Sequence, residues 1–173
     1  MNKRKILFVV IFGVISLLSY LGYNIISKSN EKNEIAKQLQ TIPAFSFQTL
    51  DLKPFTNSNL KQNIPTIFIY FNSECDYCKY EAESIGNNLD KFKNVQLIFV
   101  STENIETIRQ FSEKNKLNNQ TNITFLYDSD YLFSNQFDAQ TIPYILIYSK
   151  KQKLIKKHKG QLKIEAIVKL IKN

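Results

Sequence analysis

Apolar residues are distributed along this chain in two ways. Ile6–Ser27 is one stretch of 22 residues without a charge. Beyond Pro43 they come in short bursts instead: Thr66–Phe71 (TIFIYF), Val95–Ser101 (VQLIFVS), Ile123–Tyr127 and Tyr144–Tyr148 (YILIY). A short unbroken apolar burst predicts a strand buried on both faces. Between bursts, Ala82, Ile85 and Leu89 predict a helix over Asp76–Lys91, and Ile105, Ile108 and Phe111 predict another over Ile105–Lys116, capped by Asn104. Ahead of them, Ala44–Leu50 alternates Phe45, Phe47 and Thr49, and Pro54–Thr56 follows a turn, which predicts a hairpin. Ser58 is placed to cap a helical turn through Lys61. Further on, Asp130–Phe137 predicts a helical turn, Lys153–His158 an outer strand and Leu162–Ile171 an amphipathic helix. Strands alternating with helices make the fold class α/β, with a sheet parallel in its first part and an antiparallel pair at the end.

As a helix, the 22 uncharged residues would extend about 33 Å, the thickness of a bilayer core. Lys3, Arg4 and Lys5 precede them, which predicts a cytoplasmic N-terminus and an exported remainder in a single-pass protein of the cell membrane. The rival is a cleaved signal peptide, but Leu18, Tyr20, Tyr23 and Ile25 crowd the positions where small residues are needed. Ser29–Gln40 is polar and reads as a linker or short helix. The expected organisation is a membrane anchor over 1–28, a linker over 29–41 and one folded domain over 42–173.

The formal net charge of +8 invites a nucleic-acid partner. Lys3, Arg4, Lys5 and Lys28 flank the apolar stretch, leaving 19 basic and 15 acidic residues elsewhere. That surplus is concentrated in Lys150–Lys159, so no nucleic acid is expected. The lysine cluster itself reads as a solvated edge that resists aggregation, with anionic headgroups or an acidic partner as the alternative.

The chain has two cysteines, Cys75 and Cys78, at the start of the helix that follows TIFIYF. Thiols three residues apart at a helix N-terminus share a face and lie close enough to form a disulfide. The first also meets the unpaired N–H groups and positive dipole end of the helix, which stabilise a thiolate. Cys75 is therefore the expected attacking thiol and Cys78 the resolving one. A purely structural disulfide is the bland alternative, yet closing two intervening residues constrains the unfolded chain little. A zinc site would need two more ligands, and His158 is the one histidine. Asp76, beside Cys75, would disfavour the thiolate by about 1 kcal/mol if exposed, which tilts the pair slightly toward a reductant; equally, it reads as a plain helix N-terminal acid favourable to the dipole.

The strand–C-x-x-C–helix unit, with Thr141–Ile142–Pro143 before a later apolar strand, resembles the thioredoxin superfamily. The membrane-anchored thiol–disulfide oxidoreductases of the TlpA/ResA type, related to the redoxin domains, are the nearer match, over about Ile42 to Lys172. The phrase PAFSFQTLDLKPFT is similar to the hairpin that opens their domain. The resemblance implies a thioredoxin-like fold and a catalytic set of Cys75, Cys78, Glu81 and Pro143. Glu81 would modulate thiol acidity or pass a proton to Cys78. Pro143 would be cis, freeing the Ile142 main chain to pair with substrate. Thr141, Ile142, Tyr144, Asp76 and Tyr77 are the implied substrate contacts. Neither cofactor nor metal is implied beyond the Cys75–Cys78 couple. The implied partners are exported cysteine-containing proteins, apocytochrome c among them, and a membrane dithiol donor. Two departures stand out: Glu74 occupies the place of a common Trp, and Ile69 that of thioredoxin's buried acid. A thiol peroxidase and a non-enzymatic metallochaperone remain as alternatives. The first would want a nearby Thr and Arg, the second a wider cysteine spacing and a His.

Overall fold

The structure, a computed structural model, describes residues 3–172. Met1 and Asn2 of the expected basic flank lie outside the described residues, as do the side chains of Lys3, Arg4 and Lys5. The chain divides into two compact units, Met1–Lys37 and Gln38–Asn173.

The first unit is one helix, α1 (Lys3–Gln38). Ile11–Gln38 is long and apolar enough to cross a membrane, with a mean hydropathy of 1.3 in its most apolar window. The polar stretch after Ser27 continues the helix without a break, with Lys37 Nζ 2.7 Å from Glu34 Oε1 one turn earlier.

The second unit begins at Gln38, ahead of the boundary read at Ile42. Leu39 and Ile42 are buried, Thr41 bridges to Lys153, and Gln40 O accepts the Leu154 N–H at 3.0 Å. The elements that follow are β1 (Ser46–Thr49), β2 (Pro54–Thr56), β3 (Thr66–Tyr70), α2 (Asp76–Gly86), β4 (Gln96–Ser101), α3 (Ile105–Lys114), β5 (Ile123–Tyr127), α4 (Leu132–Gln136), β6 (Tyr144–Tyr148), β7 (Leu154–Lys159) and α5 (Ile164–Lys172). They form one seven-stranded sheet in the order β2-β1-β5-β4-β3-β6-β7. β3, β4 and β5 run parallel, whereas β6 is antiparallel to β3, β7 to β6 and β1 to β5.

β3 lies inside this sheet because every one of its residues is buried. Ile67 and Ile69 join Phe71, Leu97, Phe99, Ile145 and Ile147 in a core covered by Ala82 and Ile85 of α2, Ile108 and Phe111 of α3, and Ile164 and Ile167 of α5. Phe68 and Tyr70 face the other way. There Phe68 meets Phe137 with ring centroids 5.5 Å apart, Phe133 stacks on Phe137 at 4.4 Å, and Phe45 and Phe47 of the hairpin side complete an aromatic layer.

Two local expectations are corrected. The helical turn after β2 is a 3₁₀ turn over Asn57–Asn59 capped by Thr56, not by Ser58, because Thr56 and Asn59 exchange reciprocal cap bonds. α2 stops at Gly86, not Lys91, since Gly86–Asn87–Asn88 are poor helix formers. A separate 3₁₀ turn, Leu89–Phe92, then keeps Phe92 buried.

Gly86 is also where α2 meets the end of α3, and a Cβ there would run into the Asn115 carbonyl oxygen. Gly86→Ala is expected to cost about 1–3 kcal/mol by overpacking, despite the better helix propensity of Ala. Urea denaturation measures this, and an unchanged or raised stability would contradict the close approach.

Candidate active site

The site lies where the chain leaves the C-terminal end of β3. Phe71 N still bonds Val100 O at 3.0 Å, and the chain then turns through Asn72–Glu74. Asn72 O accepts the Cys75 N–H at 3.2 Å and Asn72 Oδ1 accepts the Glu74 N–H at 2.9 Å. Cys75 is the N-cap residue of α2, with an extended backbone and no side-chain cap bond. Its sulfur is thus free of the capping duty a Ser or Asp would perform there, and it stays half-buried at the positive end of the helix.

Cys78 lies one turn inside and is 2% exposed. Burial pushes its thiol up, the hydrogen bond with Cys75 adds to this, and the Asn72 backbone acts the other way. The charges of Cys75 and Glu103 raise it further. One thiol is presented and the other is held protonated in the core.

Across from Cys75 the Ile142–Pro143 peptide bond is cis, and Ile142 O lies 3.9 Å from Cys75 Sγ. Thr141 and Ile142 are exposed, Pro143 is buried, and Gly160 N of the last hairpin bonds Pro143 O at 2.8 Å. Tyr77 is 65% exposed on the free side of α2, and the Asp76 side chain turns into solvent beside Lys79 Nζ at 3.4 Å. Tyr144 is a correction: its side chain is fully buried, because β6 begins inside the sheet, and it forms no part of this surface.

Glu81 is 1% exposed and shares the buried face of α2 with Cys78. Its Oε2 accepts the Leu162 N–H at 2.7 Å, tying α2 to the segment ahead of α5, while Oε1 has no partner among the described residues. Burial raises its carboxyl to about 7, and the Leu162 bond works against that shift.

Glu103 was given no role by the sequence. It follows β4, accepts the Ser73 N–H at 2.7 Å and the Ser73 and Ser101 hydroxyls at 2.6 and 3.1 Å, and so clamps the loop before Cys75. The one available signal was its position just past the C-terminal end of a parallel strand, where α/β sheets collect their chemistry. His158 lies elsewhere, on β7, with Nε2 3.0 Å from Gln161 O. Arg109 is held by Leu50 O at 3.2 Å and Asp51 at 3.8 Å.

The sequence pattern of the AhpC/TSA family matches residues 39–157, more than half of the chain. The chain belongs to the AhpC/TSA family. The fold of this family member recurs in dsbF of MTB, at 20% identity, covering 78% of this chain and 95% of that one with a TM-score of 0.65. It recurs also in a secreted disulfide oxidoreductase of Mycobacterium tuberculosis homologous to E. coli DsbE (20%, 78% and 96%, 0.62). StoA from Bacillus subtilis is a third instance (20%, 76% and 98%, 0.59). These likenesses establish a thioredoxin-like fold. No curated protein matches the sequence. Family, fold and paired thiols together make this AhpC/TSA member a thiol-based oxidoreductase.

Two measurements test the carboxylates. Between Glu81's ordinary value of 4.5 and about 7, the folded chain keeps a proton that the unfolded chain has released. Its contribution to stability therefore falls by about 3 kcal/mol as pH rises through that window, and stays flat above it. Glu81→Gln should abolish this slope in denaturation midpoints compared at about pH 5 and pH 8; a slope unchanged in the variant would refute it. Glu103→Ala unpairs Ser73 and should cost about 1–3 kcal/mol, with faster amide exchange at Ser73 while distant β7 amides keep their protection.

Proposed function

We propose that the protein is a membrane-anchored thiol–disulfide oxidoreductase that reduces disulfides in exported cysteine-containing proteins. The observation that carries this is the asymmetry of the pair: Cys75 presented at a helix N-terminus beside the Ile142–Pro143 loop, Cys78 buried and protonated behind it.

The Cys75 thiolate attacks one sulfur of a partner disulfide, forming a mixed disulfide and releasing the other partner sulfur as a thiolate that takes up a proton. Cys78 then loses its proton and attacks Cys75 Sγ. The Cys75–Cys78 disulfide forms, the mixed disulfide breaks, and the partner leaves with both thiols reduced. Two electrons pass to the partner, and a membrane dithiol donor restores the pair. Glu81, poised near neutrality on the same buried face, is the group to accept and return the Cys78 proton. The exposed residues Thr141 and Ile142, with the Tyr77 ring, offer an extended substrate segment hydrogen-bonding groups and an apolar contact. α1 supplies the anchor, and its basic start favours a cytoplasmic N-terminus with the catalytic unit outside. No organic cofactor enters any step.

A peroxidase reading is disfavoured because Arg109 is engaged by Leu50 and Asp51, and the half-buried Cys75 has no arginine partner among its described contacts.

Equilibration of the full chain in dithiol and glutathione buffers, read by thiol mass-tagging, should give a two-electron couple near or below about −220 mV. A couple near about −120 mV would reverse the direction, and no reversible couple would end the oxidoreductase proposal. Cys78→Ser should trap mixed disulfides with protein substrates on non-reducing gels, whereas Cys75→Ser should trap none.

A further inference from the structure

The catalytic unit has two ends of opposite charge. β3 leads upward to Cys75, so the C-terminal ends of β3, β4 and β5 and the start of β6 share the catalytic end. Glu74, Asp76, Glu103, Asp130 and Asp138 gather there with the buried Asp128, against Lys79, Lys157 and Lys159, of which Lys79 pairs with Asp76 and Lys157 with Asp138. Five residues of strand, about 17 Å, separate it from the opposite end.

That opposite end is basic. Lys91, Lys93, Lys150 and Lys172 line one open hollow of about 520 Å³ with Pro65 and Val95, and the β6–β7 turn adds Lys151 and Lys153. Asp90 is the carboxylate in this hollow, and Glu165 lies 3.9 Å from Lys91. The turn is fixed to the neighbouring loop by Gln152 Nε2 bonding Gln62 Oε1 at 3.3 Å. A solvated edge needs no such gathering of lysines from three separate segments of the chain.

The chain also joins the unit here. Thr41 bridges to Lys153 and Gln40 O takes the Leu154 N–H, so the connection to α1 enters beside these lysines. We infer that this end of the unit rests against an anionic lipid surface, with the thiols directed away from the bilayer. The inference rests on the membrane-anchored reading of α1. From Ser27 to Gln38 the helix rises about 16 Å, short enough for the chain to let these lysines reach the headgroups, where their attraction to anionic lipid acts. The acidic catalytic end is repelled by the same surface. Attraction at one end and repulsion at the other both select this orientation.

The test is made on the full chain in lipid nanodiscs, either of phosphatidylcholine alone or with about 30% phosphatidylglycerol. Lysines are acetylated with a water-soluble ester, and the rate at each is read by mass spectrometry. Lys93, Lys150, Lys151 and Lys153 should react about threefold or more slowly in anionic discs, and the difference should vanish at about 0.5 M salt. Lys79 and Lys159, at the catalytic end, should react equally in both. Equal rates at the basic end in the two discs would overturn the inference while leaving the anchor intact. Slowing at Lys79 and Lys159 instead would overturn it in favour of the reverse orientation. A chain that stays soluble without lipid or detergent would remove the anchor, and the inference with it.

Discussion

A strand whose every side chain is buried can sit only inside a sheet covered on both faces. β3 imposes that constraint, and the rest of the catalytic unit answers it. One face needs α2, α3 and α5; the other needs the aromatic layer of Phe45, Phe47, Phe133 and Phe137. Because β3 is walled in laterally by β4 and β6, its chain can leave only at the end, into the loop that carries Cys75. The reactive sulfur is therefore placed by a strand buried along its whole length. A thiol that exchanges with a disulfide benefits from such fixity, since its helix N-terminus and facing loop are then already in place.

The two sulfurs differ less by chemistry than by depth. Cys75 stands where the helix dipole and water both reach it, and Cys78 stands where neither water nor a counter-ion does. Glu103 supports the arrangement twice, by holding Ser73 in place and by placing negative charge near the buried thiol. Glu81 contributes through burial, which keeps a carboxyl group titrating near neutrality instead of in the acid range.

Much of this was legible in the sequence for a physical reason. TIFIYF, VQLIFVS and YILIY are too apolar to lie anywhere but the sheet interior, and the C-x-x-C follows directly on the first of them. Pairing distant in sequence was not legible. Nothing in PAFSFQT says that its hairpin adds to β5, and nothing in the Leu39–Ile42 stretch says that it closes onto β7. The same limit hid Glu103, whose partner Ser73 lies 30 residues upstream, and misplaced Tyr144, whose neighbour Pro143 faces the site while its own ring points into the core. Helix ends were set by contact as well as propensity, as at Gly86 against Asn115.

The attachment of Gln38–Ile42 has a mechanical side. This segment lies on an edge strand, and the Thr41–Lys153 bridge, the Gln40–Leu154 bond and two buried side chains, Leu39 and Ile42, are among its attachments. Because it adds only to the edge strand β7, this segment can detach while the seven-stranded sheet behind it stays whole. Burial of the two side chains is worth about 2 kcal/mol each, and five extended residues measure about 17 Å. The lead-in to the catalytic unit thus has two available lengths, docked and undocked. Undocking it would leave the core around the thiols intact, since Leu39 and Ile42 stand outside that core.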